Sequence, residues 1–199
     1  MQEQEQKQMK RFHKAVCSGD YSEVEKLIAD GFNSFTTPNT NGMTPLHYAA
    51  WGARGNAIHN DAPFPQMNSP PTDHVKIAKL LITEGIPISP KNIRWQTPLH
   101  LCSYDGNPEM AALLLSNGAD TISLNSSGYT AAELALVLRR NSVAALIGAE
   151  VMRRQIVAEE EVRRVQYEAF AMGHHERLGE GSLVRWLDPG VVRIILEYV

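Results

Sequence analysis

One phrase occurs twice in this chain: Thr44-Pro45-Leu46-His47-Tyr48-Ala49-Ala50 and Thr97-Pro98-Leu99-His100-Leu101-Cys102-Ser103 share their first four residues. Thr130-Ala131-Ala132-Glu133-Leu134-Ala135-Leu136 is a weaker third version, 33 residues after Thr97. A period of that length restricts the fold to stacked units, because each short unit can bury its apolar face only against its neighbours. The phrase itself is a helix start. Threonine caps a helix by accepting a backbone N–H bond, and proline at the first helical position gives up no bond it could have made. The small residue one turn later lets the two helices of a unit pack closely.

The register extends beyond the phrase. From Thr97 the turn glycine falls at Gly106, an apolar run at Leu113, Leu114 and Leu115, and a terminal glycine at Gly118, followed by Ala119 and Asp120. The same offsets from Lys10 give Gly19, Leu27, Ile28 and Gly31. From Thr130 they place Val143, Ala144, Ala145, Leu146 and Ile147 on a second helix, with Val151 where a stop glycine belongs. With TPLH at the head and GAD at the end, the sequence resembles the ankyrin-repeat family over residues 10–148, as repeats 10–43, 44–96, 97–129 and 130–148. The resemblance implies an all-α fold: a solenoid of helix-turn-helix repeats with hairpin-like connectors, plus a C-terminal helical extension. It makes Thr44, Pro45, His47, Thr97, Pro98 and His100 a structural motif. In this family the histidine hydrogen-bonds its threonine and the hairpin backbone. The first repeat lacks TPLH, as expected of a cap with a polar outer face.

The departures from the period are as informative. Residues 1–9 read as a frayed polar tail or an extension of the first helix, whose repeat register starts near Lys10. Thr44 to Gly85 spans 41 residues where Thr97 to Gly118 spans 21, so repeat 2 carries 20 extra residues within 52–73. Pro63, Pro65, Pro70 and Pro71 point to an extended excursion there. Phe64 and Met67 are candidate contacts of a docked loop. Asp73 reads as the N-cap of the following helix. Trp95 stands where the family usually has glycine and reads as local packing over the root of the insertion. Ala158, Val162, Val165 and Ala169 give an amphipathic stripe to a long charged helix over 149–172. Gly173 to Ser182 should break it, leaving 173–199 as a loop and an apolar C-terminal helix. Trp186, Leu187, Ile195 and Tyr198 are the candidate contacts of that segment.

Composition excludes more than it names. A net charge of −3 without a basic stripe argues against a nucleic-acid partner. No run nears the length of a membrane span, and the start of the chain has neither a secretory nor a transit pattern. Cys17 and Cys102 read as small buried hydrophobes, which fits a reducing, cytoplasmic location, the nucleus remaining open. His174-His175-Glu176 with His59 and Asp61 lacks zinc-site spacing, and no phosphate loop, nucleophile elbow or helical HExxH is present. The expectation is no catalytic residue, no metal, no cofactor and no small-molecule substrate.

The family resemblance instead implies a protein partner on the concave face. Its contact places fall at Thr40, Asn41, Met43 and Trp51, then Ile93, Arg94, Gln96, Tyr104 and Asp105, then Ser126, Ser127, Tyr129 and Val137. Asn41, Met43, Trp51, Arg94, Gln96, Tyr104 and Tyr129 lead this set. The expected function is a non-enzymatic adaptor or scaffold, a subunit of a larger assembly, binding through the concave face, the insertion and the C-terminal helices. Two alternatives stand beside it. Leu187-Asp188-Pro189 and the apolar run after it resemble F-box-like (PRANC-like) segments, which implies a substrate-recruiting ubiquitin-ligase adaptor. The other is a regulatory subunit of an enzyme.

Overall fold

The first helix of repeats 2, 3 and 4 starts on the same device. Thr44 N–H donates to His47 Nδ1 at 3.1 Å, and Thr97 N–H to His100 Nδ1 at 3.2 Å. With Nδ1 accepting, Nε2 carries the proton and reaches a carbonyl of the next connector. His47 bonds the Gln96 carbonyl at 3.0 Å, and His100 the Tyr129 carbonyl at 3.1 Å. Glu133 takes the histidine place in repeat 4. Its Oε2 accepts from Thr130 N–H at 2.8 Å and from Thr130 Oγ1 at 2.9 Å. A carboxylate closes the cap but has no N–H to send onward, and among the described residues no connector follows this repeat.

The computed structural model describes residues 2–32, 38–52 and 71–176. Repeat 1 is α1 (Gln2–Ser18) and α2 (Tyr21–Ala29); repeat 2 is α3 (Pro45–Trp51) and α4 (Pro71–Thr83). Repeat 3 is α5 (Pro98–Asp105) and α6 (Pro108–Ser116); α7 (Ala131–Val137) and the start of α8 (Asn141–Glu176) complete repeat 4. Every regular element among the described residues is an α-helix. The chain divides into two compact units, Met1–Ala149 and Glu150–Val199.

Within the first unit α1, α3, α5 and α7 stack in one layer, and α2, α4 and α6 in a second. Phe12, Leu46, Ile77, Leu99, Leu114 and Ile147 are fully buried between them. Each such side chain stabilises by about 1.5–3 kcal/mol over its exposed state. Ala49, Ala111 and Ala135 are equally buried and act as spacers that let helices approach. The Ser103 hydroxyl donates to the Ala131 carbonyl at 2.8 Å and ties α5 to α7. In the second unit the polar side of α8 is laced by ion pairs. Glu150 meets Arg153 and Arg154, each at 2.7 Å, and these guanidinium groups pull its carboxyl down to about 2.

One boundary decides between two readings and two differ from the sequence expectation. The helix α1 starts at Gln2, so residues 2–9 are an extension of the first helix and not a frayed tail. The helix α4 starts at Pro71, which puts Asp73 in the first turn, 3.0 Å from Lys76 Nζ, and not at the cap. The helix α8 runs through Gly173 to Glu176. One interior glycine costs a helix only about 1 kcal/mol, too little to end one by itself. The insertion residues Phe64 and Met67 lie outside the described residues, as do Trp186, Leu187, Ile195 and Tyr198 and the F-box-like segment around them.

Gly106 ends α5 in the left-handed region at φ 80°, and a Cβ there would stand 2.6 Å from Arg140 Cδ. Gly106→Ala is expected to lower stability by about 1–2 kcal/mol, since an L side chain is disfavoured in that region. Urea unfolding of the two proteins measures it; an unchanged midpoint would mean that the turn tolerates a side chain.

Candidate interaction surface

The three connectors are built by one residue type at one place. Asn39 Oδ1 accepts from Asn41 N–H and Met43 N–H, both at 2.9 Å. Asn92 Oδ1 accepts from Arg94 N–H at 2.9 Å and Gln96 N–H at 3.0 Å. Asn125 Oδ1 accepts from Ser127 N–H at 2.9 Å and Tyr129 N–H at 3.1 Å. Asparagine suits this work because its short side chain caps its own turn. Each turn then passes through a left-handed residue: Gly42 at φ 70°, Trp95 at φ 59° and Gly128 at φ 78°.

Neighbouring connectors bond side by side. Ile93 N–H donates to the Asn41 carbonyl at 3.1 Å, and Ser126 N–H to the Arg94 carbonyl at 2.9 Å. Asp120 N–H adds a bond to Ser89 Oγ at 2.9 Å. The tips therefore form a continuous ledge. On it Trp95 is 61% exposed, Ile122 78% and Tyr129 41%, with Ile93 and Leu124 also more than half exposed. Lys91 Nζ lies 5.5 Å from the centre of the Trp95 ring. On the adjoining helices Trp51, Tyr104 and Asp105 are half-buried, and Val137 is exposed.

The candidate residues separate into two groups. Arg94 and Tyr129 are exposed on the ledge, Asn41 is half-buried at a tip, and Trp51 and Tyr104 are half-buried at the ends of α3 and in α5. Met43 and Gln96 are buried, with their side chains turned into the connectors and not presented on the ledge. Asn92 Nδ2 donates to Gln96 Oε1 at 3.2 Å and lies 3.3 Å from Met43 Sδ. An interior carboxamide must find partners, and these two side chains supply them. Trp95 is corrected in the other direction, since it was read as packing and its ring is mostly in solvent. Ile122 and Leu124 went unnoticed, although two large aliphatic residues in a connector are themselves a signal.

The histidines of the motif are neutral structural groups. Burial pushes His47 down to about 4 and lowers His100 in the same sense. Among the described residues no three His, Cys, Asp or Glu side chains are placed to hold a metal. Among them, too, no helix is long and apolar enough to cross a membrane.

Models of ankyrin repeats match residues 12–59 and 71–155. The chain belongs to the ankyrin-repeat family. It is 28% identical over 119 residues to human protein phosphatase 1 regulatory subunit 27, which covers 60% of this chain and 64% of that protein. An ankyrin-repeat protein of fowlpox virus (strain NVSL) is 42% identical over 48 residues, 24% of this chain and 7% of the viral protein. Mouse ankyrin repeat and SAM domain-containing protein 6 is 30% identical over 84 residues, 42% of this chain and 10% of that protein. The chain thus spans less than two thirds of each relative's length. An ankyrin stack is a protein-binding scaffold, and the ledge and helix flanks are where this one offers side chains.

Proposed function

We propose that this chain is a non-catalytic adaptor that binds another protein along the connector ledge and the exposed flank of α3, α5 and α7. One observation carries the reading. Ile93, Trp95, Leu124 and Tyr129 remain exposed beside a stack whose interior is already filled, so they contribute little to folding. Aromatic and aliphatic groups grouped in this way, with arginine beside them, are what protein interfaces use as anchors. The free thiols Cys17 and Cys102 fit a reducing compartment, and we place the chain in the cytoplasm on that ground.

A second reading has its own support. Similarity to a protein phosphatase 1 regulatory subunit favours a regulatory subunit of an enzyme, a phosphatase first among the candidates. Adaptor and regulator share the ledge and differ in the partner. The test captures proteins from native extract on the full chain and on an Ile93→Asp/Tyr129→Asp variant. A partner lost with the variant is the expected result, and partners retained in full would reject the ledge as the binding face. Adding the purified chain to phosphatase 1 catalytic subunit separates the two readings: a regulator changes the rate of dephosphorylation, an adaptor does not.

A further inference from the structure

The second unit carries an apolar line that the fold leaves open. Along α8, Val165 is buried and Val151, Ala158 and Val162 are half-buried, so these residues mark the covered face of the helix. On the opposite face Met152, Ile156 and Tyr167 are 67%, 55% and 74% exposed. At about 100° per residue, Met152, Ile156, Arg163 and Tyr167 fall within about 60° of one another, with Glu159 and Glu160 on either border. A helix with apolar groups on both faces has two contact faces, and only one of these is filled. The charges on the open line are uncommitted. To its side Glu150 holds Arg153 and Arg154, and Arg164 holds Glu161 and Glu168. Glu159, Glu160 and Arg163 are exposed and make no ion pair among the described residues.

We infer that this face is a two-fold contact between two copies of the chain, with their α8 helices running antiparallel. The order of groups along the line names the occupant: aliphatic, then acidic, then basic, then aromatic. Reversed, that order is its own complement. With the two-fold axis between residues 161 and 162, Ile156 of one protomer lies opposite Tyr167 of its partner. Glu160 then lies opposite the partner's Arg163, and each pairing occurs twice, as an isologous contact requires. A parallel pair in register would set Arg163 against Arg163 and Glu160 against Glu160, so the charges select the antiparallel orientation. Pairing of Arg163 with a glutamate of its own helix is a weak competitor, since exposed pairs at that spacing gain little. Apolar burial holds the contact and the charges fix its direction. This self-association is independent of the connector ledge and goes beyond the adaptor reading.

The test is sedimentation equilibrium of the full chain across the micromolar range, where a monomer–dimer equilibrium is the expected result. Ile156→Asp/Tyr167→Asp should leave a monomer. Arg163→Glu and Glu160→Arg should each weaken the dimer about tenfold or more, and the double exchange should restore it, because the reversed pair is again complementary. All of these side chains are exposed, so melting of the dilute variants should match the wild type. Mixing Ile156→Cys with Tyr167→Cys under mild oxidation should give a disulfide between 156 and 167, located by peptide mapping. A chain that stays monomeric, a dimer that survives Ile156→Asp/Tyr167→Asp, or a double exchange that restores nothing overturns the inference. So does a disulfide formed between two copies of Ile156→Cys in preference to the mixed one. A dimer lost with Ile93→Asp/Tyr129→Asp and kept by the α8 variants would move the contact to the ledge and overturn it as well.

Discussion

His47→Ala is expected to destabilise the repeat domain by about 4 kcal/mol, the combined effect of a core cavity and of buried polar groups left unpaired. The ring is fully buried. Its loss strips the Gln96 carbonyl of a donor 3.0 Å away and the Thr44 N–H of an acceptor 3.1 Å away. It also unlinks repeat 2 from the connector that enters repeat 3. The same ring gives stability a pH dependence. Burial lowers its pKa from 6.5 to about 4, because the charged ring would lose its water, and the bond to the Gln96 carbonyl offsets this only in part. The unfolded chain then binds a proton that the folded chain refuses. Stability from this group is complete above pH 6.5 and is lost as pH falls toward 4, by about 3 kcal/mol in all. His13 and His100 shift in the same direction and deepen the loss. Urea unfolding of wild type and His47→Ala at neutral and mildly acid pH measures both effects. A wild-type stability that stays level down to the lower pH would show that the buried rings accept protons in the fold.

The sequence made this part of the structure readable because the signal is local. Thr44 and His47 are three residues apart, as are Thr97 and His100, and a cap followed by proline means one thing wherever it occurs. Where the deciding partner is distant, burial is not readable from sequence. Met43 and Gln96 occupy places whose identity varies between repeats, and nothing near them in sequence indicates that Asn92 draws both inward. The asparagine device was hidden by the insertion: Asn92 and Asn125 are 33 residues apart, but Asn39 and Asn92 are 53. Trp95 was misplaced for a related reason. Its φ is imposed by the turn's hydrogen bonds, which a residue-by-residue reading does not weigh, so a large ring suggested burial. At α4 a carboxylate was preferred as the start signal over Pro71, which fits the first helical position at least as well.

Asn92→Ala should cost about 3 kcal/mol and abolish ledge binding together, since two connector N–H groups lose their acceptor at about 1–3 kcal/mol each, partly offset where water reaches them. The side chain is 8% exposed and makes four contacts: Oδ1 with Arg94 N–H and Gln96 N–H, Nδ2 with Gln96 Oε1 and Met43 Sδ. Asn92→Asp keeps the acceptor and turns a second oxygen toward Gln96 Oε1, so its cost should fall between wild type and alanine. Asn125→Ala should cost less than Asn92→Ala, because among the described residues no further connector rests on the one it shapes, whereas the Asn92 connector is bonded on both sides. Set against Trp95→Gly, the series separates two roles on one turn. Asparagine shapes the connector, so its loss lowers stability and binding alike. Tryptophan occupies the shape, so its loss lowers binding alone. Urea midpoints and partner capture from native extract for the same four proteins decide it. An Asn92→Ala protein as stable as wild type would mean that the backbone pair between Asn92 and Gln96, at 3.1 Å, holds the turn without the side chain.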